Sequence, residues 1–191
     1  MNSFEQFVES TIDKVLKAEK GYVDDPDDKG GETNHGITVA VARANGYNGP
    51  MRDMPVSVAR AIYRKRYIVG PGFDKIAILS PLLAEELIDT GVNMGPSRPS
   101  EMLQRWLNGF NDRGSKYADL FVDGRIGDVT VDALEAYLAW RGAEGESVML
   151  MALNSTQGVR YLEIAENNES QEKFLYGWMR TRVANILKGV Q

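Results

Sequence analysis

A carboxylate at the end of a predicted helix, followed by an acidic and glycine-rich segment, is the part of this sequence best suited to chemistry. Glu19 closes an apolar-periodic stretch, and four aspartates lie within residues 24–28. Glycoside hydrolysis needs one carboxyl group that donates a proton and a second that stays ionised. The residue types between Glu19 and Thr38 therefore fit a glycosidase. A solvated acidic loop is the structural alternative.

Glu19 is the candidate proton donor. It falls in the last turn of the predicted helix, where the partial negative charge of unpaired carbonyl groups disfavours ionisation of a carboxyl group. The second carboxylate must be more solvated, and composition alone leaves four choices open: Asp24, Asp25, Asp27 and Asp28. Thr33 and Thr38 offer hydroxyl groups that could place a water or a sugar oxygen. The aspartates lack the spacing of a calcium-binding loop, so we expect no metal site.

The composition narrows the class of protein. The chain has no Cys and one His among 191 residues, so thiolate and multi-histidine metal sites are excluded. We expect any catalysis to rest on carboxylates, with His35 able to serve alone as the alternative. Residues 1–40 contain nine acids and four lysines, which accounts for the whole net charge of −5. We therefore expect no nucleic-acid binding.

Hydropathy patterning predicts a mainly α-helical protein. Apolar residues at helical spacing predict a first helix over 4–19, and residues 22–38 are turn-rich with at most a small β-hairpin. Ser80-Pro81 is typical of a helix start. No run of 18 apolar residues occurs and the first residues lack a signal-peptide pattern, so we expect synthesis in the cytoplasm and no stable membrane insertion.

The order of residues in this segment resembles that of a known family. The pattern Glu-x-Gly-Tyr followed by Pro-x-Asp-x-Gly-Gly-x-Thr-x-x-Gly-Ile-Thr is similar to the start of glycoside hydrolase family 108, the peptidoglycan muramidases of phage endolysins and bacterial relatives. The matching positions are Glu19, Gly21, Tyr22, Pro26, Asp28, Gly30, Gly31, Thr33, Gly36, Ile37 and Thr38. Lys20 departs from the pattern, since the family usually has a second glycine there.

The resemblance continues along the chain. Residues 89–95, Leu103-Gln104 and residues 123–130 are similar to the peptidoglycan-binding module that often follows in these proteins. The resemblance implies a lysozyme-like, two-lobed helical fold, with a catalytic region over 1–85 and a helical peptidoglycan-binding-like region over 86–191. Because no linker separates the regions, we expect them to form one compact unit.

The family arrangement also implies the roles of the site residues. Glu19 is then the catalytic acid, with Asp28 and Thr33 as its partners, and Asp27 remains an alternative to Asp28. Inverting and retaining chemistry both stay open, since they depend on the separation of the two carboxyl groups. The candidate substrate-binding residues are Tyr22, His35, Tyr63 and Arg64.

Alternatives exist for several of these residues. His35 could serve only to stabilise the turn. Tyr63 could be packed in the core, with the basic cluster at 64–66 forming a solvated face. Asp123 is expected to cap the backbone that follows it. Trp106 falls on an apolar helical face, which favours a core position over sugar stacking.

The resemblance implies an enzyme that cleaves the β-1,4 bond between N-acetylmuramic acid (MurNAc) and N-acetylglucosamine (GlcNAc) in peptidoglycan. This mechanism requires no metal or organic cofactor. A phage-type enzyme made in the host cytoplasm needs a holin to reach the periplasm and cell wall, whereas a bacterial origin with dedicated export is the alternative. We expect a monomer. The rival functions are a lytic transglycosylase on the same bond and a non-catalytic wall-binding protein.

Overall fold

The computed structural model describes residues 3–18, 21–24 and 31–183. The chain divides into two compact units, Met1–Gly70 and Pro71–Gln191. Within the described residues there are eight α-helices and a single two-stranded antiparallel sheet. The prediction of a mainly α-helical fold with a small hairpin inside residues 22–38 is confirmed.

The first unit is built from three helices and the hairpin. Helix α1 is followed by strands β1 and β2, and a 3₁₀ turn separates α2 from α3, which continues as a π-helical turn. The bounds are Ser3–Ala18 (α1), Thr33–Asn34 (β1), Ile37–Thr38 (β2), Val39–Ala44 (α2), Met51–Asp53 (3₁₀), Val56–Arg64 (α3) and Lys65–Val69 (π). Burial of one apolar face on each helix forms the core.

Ion pairs join α1 to α3 beside this core. Val8 and Ile12 of α1 and Ile62 of α3 are almost fully buried. Arg60 binds both Glu9 and Asp13, and Arg64 binds Glu5 and Glu9. These contacts fix α3 against the helix that leads directly to Glu19.

The second unit contains the remaining helices. Helix α7 is interrupted at Gly142, which has a non-helical backbone with φ of 62°. The bounds are Phe73–Leu79 (α4), Pro81–Met94 (α5), Ser97–Phe110 (α6), Asp128–Asn167 (α7), Glu169–Gln171 (3₁₀), Glu172–Trp178 (α8) and Met179–Val183 (π). Leu87, Leu107 and Leu134 are fully buried in its core.

The predicted start of α5 is confirmed. The Ser80 hydroxyl accepts a hydrogen bond from the Leu83 main-chain N–H at 3.0 Å, and Pro81 occupies the first turn. Farther along the same helix, Arg182 donates to both carboxylate oxygens of Asp89 at 2.8 and 2.9 Å. None of the helices in the described ranges is long and apolar enough to cross a membrane.

Candidate active site

The hairpin of the first unit is closed by a two-residue turn. Thr33 pairs with Thr38 and Asn34 with Ile37, so His35 and Gly36 form the connection. Both have positive φ, 51° at His35 and 73° at Gly36. This is the backbone pattern of a type I′ turn, whose twist matches that of the flanking strands. His35 is therefore held in a left-handed conformation that costs little for glycine and more for other residues.

Side-chain hydrogen bonds to the 3₁₀ turn and from α3 hold the hairpin turn in place. The buried Asn34 donates from Nδ2 to the carbonyl of Met51 at 2.7 Å and to that of Arg52 at 3.3 Å. The Tyr63 hydroxyl donates to the main-chain oxygen of His35 at 2.9 Å. Because the partners belong to the 3₁₀ turn and to α3, the position of the hairpin is set by the helical part of the unit.

A third chain segment pairs with the hairpin. Val23 N–H donates to the Thr33 carbonyl, and Thr33 N–H donates to the Val23 carbonyl, each at 2.8 Å. This pair brings together the two ends of the segment 24–32, within which Asp28 falls. The Thr33 hydroxyl itself donates to the Gly31 carbonyl at 3.4 Å.

Tyr22 adjoins this pairing. Its ring lies under the Arg52 guanidinium, with the Arg52 Cζ 4.8 Å from the ring centroid. A cation over an aromatic face at this distance is attractive. The hydroxyl of Tyr22 donates to Asp24 Oδ2 at 3.4 Å. Since Asn34 also bonds the Arg52 carbonyl, Tyr22 and the hairpin share one anchor.

The structure places Arg64 elsewhere. Its guanidinium donates to carboxylates of α1, including Glu9 Oε1 at 3.2 Å. Hydrogen bonds, first from Arg60 and then from Arg64, lower the pKa of Glu9, which stays ionised across the neutral range. Tyr22, Thr33, His35 and Tyr63 are thus gathered around the hairpin, while Arg64 contacts the first helix.

The two predicted carboxylates, Glu19 and Asp28, lie outside the described residues, as does the alternative Asp27. The structure describes Ala18, which ends α1 immediately before Glu19, and Gly31, which follows the aspartate-bearing segment. Over residues 3–18, 21–24 and 31–183, no three His, Asp or Glu side chains are grouped closely enough to hold a metal ion.

A glutamine in the second unit, Gln104, organises the loop before α7; the sequence resemblance included this residue but gave it no role. Gln104 is 2% exposed, and its Oε1 accepts from the main-chain N–H groups of Asp123 and Gly124 at 3.1 and 3.0 Å. The predicted capping by Asp123 is confirmed, because Asp123 Oδ1 accepts from Arg125 N–H at 2.9 Å. Hydrogen bonding, chiefly from Gln104, lowers the pKa of Asp123.

A buried glutamate is a second feature that the sequence pattern did not reveal. We use the term α5–α7 polar cluster for Glu86, Thr90 and Gln157. Thr90 donates to Glu86 Oε1 at 3.1 Å and accepts from Gln157 Nε2 at 2.8 Å. Burial, reinforced by the nearby charge of Asp89, raises the pKa of Glu86 to about 7. The carboxyl group is therefore largely protonated in mildly acidic solution.

Comparison with protein families assigns a class to this arrangement. Residues 12–95 match the family described as Glycosyl hydrolase 108, and residues 98–183 match the family described as Predicted Peptidoglycan domain. The first match contains Glu19, the hairpin and α3, and the second contains all of α6 but its first residue, the Gln104-bound loop and α7. Over residues 12–95, somewhat under half of its length, the chain is thus similar to the glycosyl hydrolase 108 family. It is a glycoside hydrolase that acts on peptidoglycan.

A solved structure has the same fold. "Structure of Brucella abortus SagA" aligns with 95% of this chain and 92% of its own, with a TM-score of 0.55 and 24% sequence identity. At that identity the likeness concerns the fold alone. Among curated proteins, none matches this sequence.

Proposed function

We propose that this protein is an N-acetylmuramidase that hydrolyses the β-1,4 bond between MurNAc and GlcNAc. The observation that carries the proposal is the family match over residues 12–95, because it contains the ordered motif from Glu19 to Thr38. The peptidoglycan domain that follows supports the same polymer as substrate.

In the proposed mechanism, Glu19 protonates the glycosidic oxygen as the bond to the anomeric carbon breaks. Asp28 accepts a proton from the attacking water or stabilises the positive charge at that carbon. Thr33 positions the water. Two described features support this assignment: α1 ends one residue before Glu19, and the Val23–Thr33 pair closes the segment that contains Asp28.

The remaining predicted residues have two kinds of role in this proposal. Tyr22 lies at the edge of the paired segment and His35 lies on the turn, and both side chains are half-buried. Because both remain accessible beside the segment that carries Asp28, the proposal assigns them contacts with the sugar chain. Tyr63 and Arg64 support the site indirectly. Tyr63 is 7% exposed with its hydroxyl bonded to the turn, and Arg64 is paired with carboxylates of α1.

Mass spectrometry of the fragments released from purified peptidoglycan shows both which bond is cleaved and by which type of reaction. Hydrolysis of the MurNAc–GlcNAc bond leaves MurNAc at the reducing end, whereas a lytic transglycosylase leaves a 1,6-anhydro end that is lighter by one water. We expect reducing MurNAc ends from the wild type. Anhydro ends, or GlcNAc at the reducing end, would refute the proposal.

Carboxamide variants test the roles of the carboxylates. We expect Glu19→Gln to lower kcat by about a thousandfold or more, since it removes the proton donor of the transition state. Asp28→Asn should cause a comparable loss, and Asp27→Asn is the matched control that should remain active. The opposite ranking of the two aspartate variants would assign the second carboxylate to Asp27.

We also propose that the enzyme is a monomer made in the host cytoplasm and that it acts in the periplasm and on the cell wall, with a holin as its route across the membrane. The proposal is supported by the resemblance to endolysins. Expression with and without a co-expressed holin tests it, with lysis expected only when the holin is present. Lysis without the holin would indicate another route of export.

A further inference from the structure

A groove in the second unit lies between α6 and the part of α7 that follows Gly142. Its volume is about 380 Å³, and a smaller hollow of about 180 Å³ shares Arg105 and Trp106 with it and extends to Gly109. Together they form an elongated depression along α6. It lies within residues 98–183, which match the peptidoglycan domain, and its lining residues all belong to the unit Pro71–Gln191.

The charges along this groove are unbalanced. Arg98 donates to Glu101 Oε2 at 3.0 Å, and Arg160 donates to Glu163 Oε2 at 2.8 Å, so both of these arginines are neutralised. Arg105 also lines the groove, and no carboxylate within residues 3–18, 21–24 and 31–183 pairs with it. Among the described lining residues, Arg105 is therefore the exposed cation without a carboxylate partner, and it is available for an anionic group.

The wall beside Arg105 is aromatic and fixed in position. Trp106 is half-buried, and its indole N–H donates to the Thr156 hydroxyl at 2.8 Å. The ring also stacks on Phe110, with centroids 5.3 Å apart. Met102 and Val159 add apolar surface to the lining. A rigid aromatic and apolar wall next to a free cation suits a ligand with a hydrophobic part and a carboxylate.

We propose that this groove binds the acidic stem peptide of peptidoglycan, with a peptide carboxylate on Arg105 and the adjoining aliphatic part against Trp106. Glu101 and Glu163, which pair with Arg98 and Arg160, also line the groove and offer hydrogen-bond acceptors to an ammonium group of the peptide. The inference rests on the proposed function only in that peptidoglycan is the polymer. The second unit then holds the substrate by its peptide, while the first unit cleaves the glycan.

Titration calorimetry with the full-length protein and a soluble fragment tests this proposal. The probe is GlcNAc–MurNAc carrying a tetrapeptide, which contains no MurNAc–GlcNAc bond and so is not cleaved by the proposed activity. We expect Arg105→Gln to weaken binding roughly tenfold or more, in keeping with the loss of one charge-assisted hydrogen bond. Arg105→Lys should restore part of the affinity.

Two controls make the result specific. Arg125→Gln removes another exposed arginine of the same unit, outside the groove, and should leave the affinity unchanged. GlcNAc–MurNAc without the peptide should bind the wild type and Arg105→Gln equally weakly. Equal affinity of the wild type and Arg105→Gln for the tetrapeptide probe would overturn the proposal, as would equally tight binding of the peptide-free probe.

Release of fragments from insoluble peptidoglycan is measured on the same preparations. If Arg105 proves irrelevant to binding while cleavage is intact, the groove proposal alone fails. If no fragments are released but the tetrapeptide probe binds through Arg105, the muramidase proposal fails and the groove stands. The two failures are therefore distinguishable.

Discussion

The Tyr63 hydroxyl donates a hydrogen bond to the main-chain oxygen of His35 over 2.9 Å. The contact joins α3 to the hairpin turn across 28 residues of sequence. It also gives Tyr63 a physical role, because a buried hydroxyl needs a partner and the turn supplies one. The position of the His35 side chain relative to the helical core therefore depends on Tyr63.

Removing this hydroxyl should weaken the unit. We expect Tyr63→Phe to lower the free energy of unfolding by about 1 kcal/mol, since the partly buried His35 carbonyl loses its partner. Urea unfolding followed by circular dichroism measures the change. Tyr47→Phe is the matched control, because Tyr47 also donates to a carbonyl, that of Pro50, but at an exposed site. Equal losses in the two variants would contradict the structural role assigned to the turn contact.

The Gln104 side chain should be essential to the loop before α7. In Gln104→Leu, the N–H groups of Asp123 and Gly124 lose their acceptor, and we expect a loss of about 2–4 kcal/mol in the free energy of unfolding. Thermal unfolding tests this, with Gln171→Leu as a control on a side chain that bonds only its neighbour Ser170 in the described structure. A Gln104→Leu protein as stable as the control would show that water replaces the glutamine.

Glu86 should make stability fall as pH rises. Its folded-state pKa of about 7 exceeds the ordinary value of 4.5, so the folded protein binds more protons than the unfolded chain between these two values. The free energy of unfolding should therefore decrease from about pH 4.5 to pH 7 through this group. Glu86→Gln removes the effect, and we expect it to be more stable than the wild type at pH 8 by up to about 3 kcal/mol.

Urea titrations at pH 5 and pH 8 measure this difference. Glu166→Gln, which alters an exposed glutamate of α7, should show no comparable gain at pH 8. If Glu86→Gln kept the wild-type dependence on pH, the α5–α7 polar cluster would not be its source.

Glu9 should give the opposite dependence, with the free energy of unfolding falling as pH decreases. Arginine hydrogen bonds lower its folded-state pKa, so its contribution to stability is complete above the ordinary value of 4.5 and is lost as pH falls through the folded value. The side chains of Glu9 and Arg60 are 33% and 29% exposed, so solvent screens the pair and we expect Glu9→Gln to cost only about 1 kcal/mol at pH 7.

The cost of Glu9→Gln should shrink at pH 3 and in 1 M NaCl, which denaturant titrations under the three conditions test. Asp53→Asn is a control on an exposed carboxylate of the same unit. A cost that is the same at pH 3 and pH 7 would show that packing, not charge, explains the effect of the variant.

Local features of the fold could be predicted from the sequence because they depend on neighbours along the chain. The helical spacing of apolar residues predicted α1, and the Ser80-Pro81 pair predicted the start of α5. Two short helices, α2 and α4, were missed. Helix α2 follows directly on the predicted hairpin segment, and its start is set by the Thr38 hydroxyl, which accepts from Val41 N–H.

The candidate site was predictable to a smaller extent. The ordered motif from Glu19 to Thr38 indicated the family that residues 12–95 match, and the hairpin predicted within this segment is present in the structure. The roles of Glu19 and Asp28 stay predictions, since both lie outside the described residues. Arg64 appeared as a candidate for substrate because its partners, Glu5 and Glu9, are more than fifty residues away in sequence.

By itself the sequence determined the helical class and the polymer on which the protein acts, and it indicated carboxylate chemistry as a prediction. Only the tertiary structure decided which side chains meet. It buried Glu86 beside Thr90, tied Gln104 to the loop at Asp123, and left Arg105 without a carboxylate partner among the described residues. The physical reason is that periodicity and motifs report a residue's own element, whereas burial and charge pairing depend on the packing of elements distant in sequence.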